Sequence, residues 1–174
     1  MGILNDMAHA YPLMRGGGVL FILVGLGVII GGIGGRRWML PALIVGAALA
    51  VTALAVLSAT KLIFAGLGSP PLYQWIIMGV GFVVEILLIN YVVFTITDRE
   101  SRRFWLWILI AVGAHFLIFT FSHGPLAGLL GVLCIVNAVI GLRLKNVNYR
   151  IFWVIDGILT TGVGLWMVLL SYRV

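Results

Sequence analysis

The residues of this chain that can do chemistry stand mostly where water is scarce. Asp156 lies in VIDGILTTG (154–162), Glu85 in VVEILLIN (83–90) and His115 in VGAHFLI (112–118), each inside an apolar run. The amides of Asn90 and Asn137 and the hydroxyl of Thr160 accompany them. An ionisable group in hydrocarbon costs ~2.5–3.5 kcal/mol on insertion scales, so such groups face a bundle interior or a wet cavity. Carboxylates accept hydrogen bonds, while amides and hydroxyls both donate and accept. Such a set can replace part of the hydration shell of a small polar solute, or pass a proton. Amides alone would suffice to tie helices together, so the two acids favour a path. Asp156, Glu85, Asn137, Asn90, His115 and Thr160 are therefore the expected lining of a solute path.

Catalysis finds no support in the pattern. There is no Ser-His-acid set, HExxH, CxxC or phosphate-cradling loop, so the chain reads as a non-enzyme with no metal and no cofactor. The single cysteine, Cys134, sits in an apolar run with no metal-ligand spacing.

The elements that must position these groups follow from composition. Of 174 residues, 63% are hydrophobic and 9% charged, with mean hydropathy +1.21. A water-soluble domain of that composition would lack the polar surface to solvate it. A bilayer core ~30 Å thick needs about 20 apolar residues per helix. Six runs qualify, at about 16–35, 38–64, 71–96, 104–121, 125–142 and 151–171. The expected fold is all-α: one polytopic domain over 1–174 with six transmembrane helices. The segment before Arg15 lacks a basic start and a cleavage site, and Asp6 breaks the myristoylation pattern. It reads as an interfacial lead-in.

The net charge of +6 is not a nucleic-acid signal, because the basic residues sit in short loops. Arg36 and Arg37, then Arg99, Arg102 and Arg103, then Arg143, Lys145 and Arg150 occupy alternate loops. The intervening loops, GLGSPP and SHGP, carry no Lys or Arg. The positive-inside rule then places the basic loops in the cytoplasm and both termini outside. Trp38, Trp105 and Trp153 fit an inner aromatic belt, and Tyr73 and Trp75 an outer one. His9 and His123 fall on the outer side, where they are candidate pH sensors because histidine titrates near neutrality. Lys61 is close enough to its helix end to snorkel outward.

Two further patterns bear on packing. Gly27, Gly31 and Gly35 recur every four residues, a stripe that lets a second helix backbone approach closely. GVL at 18–20, GVG at 79–81 and GVL at 131–133 open similar stretches, which suggests three helix hairpins with Glu85 and Asn137 in equivalent positions. At ~1.5 Å per residue, Glu85 lies ~20 Å and Asn137 ~18 Å below the outer surface, Asp156 ~8 Å above the inner one, and His115 ~10 Å below the outer one. Glu85, Asn137 and Asp156 are thus expected on one layer.

The polar pattern resembles the UreI/AmiS family of urea and short-chain amide channels. WVIDGILTT is similar to that family's final-helix pattern, with Asp156 in the position usually held by Glu. GF at 81–82 with IN at 89–90, then Asp98, Arg99, Phe104 and Trp105, follow in family-like spacing. The run LFILVGLGVIIGGIGG at 20–35 resembles the family's first helix. The resemblance implies six helices, both termini outside, a homo-oligomeric ring of six subunits, and a passive pore with the final-helix acid along it. The chain departs from the family in three places. Leu130 and Cys134 stand beside GVL where urea-selective members have tryptophans, Glu85 replaces an apolar residue, and the second outer loop is only GLGSPP.

The leading expectation is a channel or facilitator for a small uncharged polar solute, urea or a short-chain amide, in a bacterial-type inner membrane. A proton-coupled transporter using Glu85 and Asp156 is the alternative. A non-transporting acid-stress protein of the HdeD kind is the second alternative. The expected partners are the lipid bilayer, the solute and further copies of the chain.

Overall fold

The computed structural model describes residues 7–55 and 65–172. After a single helical turn over 7–10 come six helices, each long and apolar enough to cross a membrane: α1 Leu13–Gly34, α2 Arg36–Ala55, α3 Leu72–Thr95, α4 Arg102–His123, α5 Pro125–Arg143 and α6 Tyr149–Ser171. No strand occurs among the described residues. The chain is a helical, multi-pass membrane protein. The second span, expected over 38–64, is helical over Arg36–Ala55, and its remainder, with Lys61, lies outside the described residues.

Local chemistry explains where the helices break. Gly35 separates α1 from α2 with φ 87°, and Gly124 separates α4 from α5 with φ 92°. Both are left-handed conformations that a Cβ would strain. Pro125 then opens α5, where its missing N–H costs no helical bond. The side chain of Ser101 accepts from Phe104 N at 3.1 Å to cap α4, and that of Asn148 accepts from Arg150 N at 3.1 Å to cap α6.

The helices form two three-helix groups. In one, α1 packs between α2 and α6; in the other, α4 packs between α3 and α5. The groups meet mainly through α5 and α6. The hairpin expectation therefore describes α1–α2 and α3–α4 well. The closest partners of α5 and α6 lie elsewhere, on α4 and α1 respectively.

Glycine makes the tightest seams. Along α1–α6, a methyl on Gly18 would sit 2.7 Å from the Gly164 carbonyl oxygen, and one on Gly25 2.8 Å from that of Gly157. Each seven-residue step along α1 is matched by a seven-residue step back along α6, which is antiparallel packing with backbones in direct contact. The α1–α2 seam uses Gly27, 2.5 Å from the Ala42 oxygen by the same measure, and Gly31, 2.8 Å from Met39 Cα. The expected stripe thus divides: Gly27 and Gly31 pack within the chain, and Gly35 is a turn. The second glycine face, at 18, 25 and 32, escaped the four-residue pattern because its period is seven.

Several basic-loop arginines serve as helix caps. Arg102 donates from Nε to the Gly141 oxygen at 3.1 Å and from Nη2 to the Leu144 oxygen at 2.7 Å, and it also reaches the Val147 oxygen. It thereby satisfies carbonyls at the end of α5. Arg150 does the same for α1, with Nε 2.9 Å from the Gly32 oxygen and a further bond to Ile33. Arg36 pairs with Glu100 at 2.5 Å, joining two of these loops. At the other end of the bundle, buried Arg15 reaches Ser171 Oγ at 3.0 Å and stacks over Tyr172.

Candidate functional site

The buried apolar residues divide into two clusters. One holds Met14, Phe21, Phe116, Phe119, Leu130 and Met167; the other holds Val28, Met39, Phe104, Leu106, Phe152 and Trp153. On α4, His115 falls between members of the two, as do Asn137 on α5 and both Asp156 and Thr160 on α6. Glu85 on α3 lies likewise between Met78 and Val92. The polar groups therefore form a layer near mid-span, sandwiched between two apolar slabs.

Two groups of polar contacts, one around Asp156 and one between Glu85 and His115, organise that layer. Asn137 Nδ2 donates to the Phe152 carbonyl oxygen at 2.8 Å and approaches Asp156 Oδ1 at 3.4 Å. Thr160 Oγ1 donates to the Asp156 carbonyl oxygen at 2.8 Å. Across the bundle, His115 Nδ1 lies 3.7 Å from Glu85 Oε1. The His115 ring is held by aromatic neighbours, with centroids 4.3 Å from Phe116 and 4.9 Å from Phe119.

Both groups border one cavity of about 270 Å³. Its walls are mostly apolar and come from α1, α2, α3, α4 and α6, while Glu85, His115, Asp156 and Thr160 supply the polar lining. Asn137 stands behind Asp156 and holds it from the α5 side; it does not line the space.

The expected path residues are thus unequally placed. Asp156, Glu85, His115 and Thr160 share the cavity wall, and Asn137 supports it. Asn90 is elsewhere: it is exposed on α3, and its amide donates to its own helix at the Ile86 oxygen, 2.7 Å away. Its i−4 bond satisfies the amide without a partner helix. Of the two histidines read as surface sensors, His9 is exposed on the short first turn. His123 is buried, with Nδ1 2.8 Å from Ser122 Oγ and its ring against Phe119. The tight turn after it, capped by Gly124, leaves His123 inside the bundle and away from water.

Trp153, expected in the inner aromatic belt, is 1% exposed and lines the cavity. Its ring packs on Trp105 at 5.4 Å, and its indole N–H has no hydrogen-bond partner among the described residues. The signal was present in the spacing, because Trp153 stands three residues before Asp156 on one helix face. Among the described residues, no group of His, Cys, Asp and Glu has a metal-binding arrangement.

The arrangement offers hydrogen-bond acceptors from α3 and α6 with apolar surface between them. A family model described as a family of unknown function, DUF6609, matches residues 5–174. No curated protein and no solved structure matches the chain.

Proposed function

We propose that this chain, which belongs to the DUF6609 family, is a membrane facilitator for a small uncharged polar solute of the urea or short-chain amide class. One observation carries the reading: a cavity of about 270 Å³ near mid-span whose apolar walls are interrupted by Glu85, His115, Asp156 and Thr160. Apolar walls exclude ions through the cost of dehydration, while a few polar groups replace the hydrogen bonds that an uncharged solute leaves behind. An amide donates through N–H to the Asp156 and Glu85 carboxyl groups and accepts through its carbonyl. The resemblance of VIDGILTT to the final helix of the UreI/AmiS family supports the same solute class. That resemblance also supports a ring of six subunits. Loop charge supports an inner-membrane orientation with the basic loops in the cytoplasm and both termini outside.

The test is stopped-flow light scattering of proteoliposomes against urea, acetamide, formamide and glycerol. Faster equilibration of urea or an amide than in protein-free vesicles is expected. Equal rates for every solute would refute the reading and leave a non-transporting, HdeD-like role.

A second reading has its own observation. The Glu85–His115 contact at 3.7 Å is a carboxyl–imidazole pair of the kind that relays protons within membranes, which favours a proton-linked carrier. Uptake that collapses when the proton gradient is dissipated would select it over passive flow.

A further inference from the structure

The cavity has a side that the described residues do not close. Its walls on α2 include Ile44 and Val51, which are 57% and 60% exposed, and its wall on α3 includes Phe82, 36% exposed. The two walls pack on different partners, α2 on α1 and α3 on α4. Ile44 and Phe82 each lie well inside their helices, some 12–15 Å from the first residue at ~1.5 Å per residue. Their exposed faces therefore lie at the depth of acyl chains and not in bulk water. Glu85 sits at this margin with 23% of its side chain uncovered.

A carboxyl group partly uncovered toward hydrocarbon gains no hydrogen bond there. The N–H of Trp153, a residue of the same wall, is buried without a hydrogen-bond partner among the described residues, although indole donors normally find an acceptor. The cavity is also larger than urea needs. At ~30 Å³ per water it holds roughly nine waters' worth of volume, room for a molecule of roughly eight to ten heavy atoms. A polar solute alone would leave most of the apolar wall in contact with nothing.

We infer that the cavity opens laterally to the bilayer between α2 and α3 and takes a small amphiphile from the membrane, one with a hydrogen-bond-donating amide end and a short alkyl body. The amide end lies against Glu85 and Asp156, and the alkyl body lies along Leu43, Ile44 and Phe82. This rests on the solute class proposed above and extends it from amides that enter from water to amides that partition into lipid.

The experiment uses the full chain in proteoliposomes. A hexanamide carrying an alkyl diazirine is photolysed, and adducts are mapped by mass spectrometry. A diazirine alkane of equal length is the control. The amide probe is expected to label the α2 and α3 cavity walls saturably, with loss of labelling under excess hexanamide, while the alkane labels the lipid-facing surface without saturation. Ala47→Phe, which fills the cavity from α2, is expected to remove the saturable component. Competition on the unsubstituted chain decides the matter even if that variant fails to fold. Labelling that does not saturate, or that is the same for both probes, overturns the lateral site. Acetamide flux measured on the same vesicles separates the two readings. Flux without saturable labelling overturns the lateral site alone, and saturable labelling without flux supports the site and removes facilitation.

Discussion

His115 Nδ1 and Glu85 Oε1 stand 3.7 Å apart across the α3–α4 interface, although helix-depth arithmetic separates their backbones by ~10 Å. The direction of Cα–Cβ bonds closes the gap. Side chains lean toward the N-terminus of their own helix, and α3 and α4 run antiparallel. Glu85 and His115 therefore lean toward each other. The same geometry explains why the pair was not foreseen, since depth was counted along the axes alone.

This pair distinguishes passive from proton-linked movement. In the passive account Glu85→Gln preserves solute flux to within about threefold, because a neutral amide still accepts a hydrogen bond from the solute. Dissipating the proton gradient should leave flux unchanged in both forms. Abolished flux in the variant, together with gradient dependence in the parent chain, would move the assignment to the carrier.

The α1–α6 seam gives a stability prediction with an internal control. A methyl on Gly157 would stand 2.7 Å from the Gly25 carbonyl oxygen, whereas methyls on Gly79 and Gly162 would meet nothing within 4 Å. Gly157→Ala should cost about 1–3 kcal/mol, as overpacking does. Gly79→Ala and Gly162→Ala should be neutral or stabilising by up to about 1 kcal/mol, because alanine is the better helix former. Thermal unfolding in detergent of the three variants checks the order.

The arginine caps give a third. Arg102→Ala and Arg150→Ala each leave helix-end carbonyls without donors, and each should lower stability by about 1–3 kcal/mol. Arg36→Ala breaks only an exposed ion pair, with side chains 42% and 71% exposed, and should leave Tm unchanged. A single melting series covers all three.

Much of this fold was legible from hydropathy, because a bilayer leaves a chain few options besides long apolar helices. The site was legible in part. Asp156, Glu85, His115 and Thr160 were visible as polar residues that hydrocarbon penalises, and they do line one cavity. Asn90 carried the same signal, but its amide bonds its own helix, a solution that residue type does not reveal. Trp153 was misread as a belt residue because position near a helix end does not say which face a ring occupies. The pairing of α6 with α1 was hidden too, since loop length favours neighbours in sequence and the period-seven glycine face of α1 seats α6 instead of α5.

Asp156 bears the central claim most directly. It is 1% exposed, held by Asn137 at 3.4 Å, and lines the cavity that the proposed solute crosses. Acetamide and urea flux in proteoliposomes should be compared for the parent chain, Asp156→Asn and Asp156→Ala, with thermal unfolding showing that each variant is folded. The account predicts that Asp156→Ala abolishes facilitated flux and that Asp156→Asn retains a measurable part of it. Full flux in folded Asp156→Ala would contradict the account.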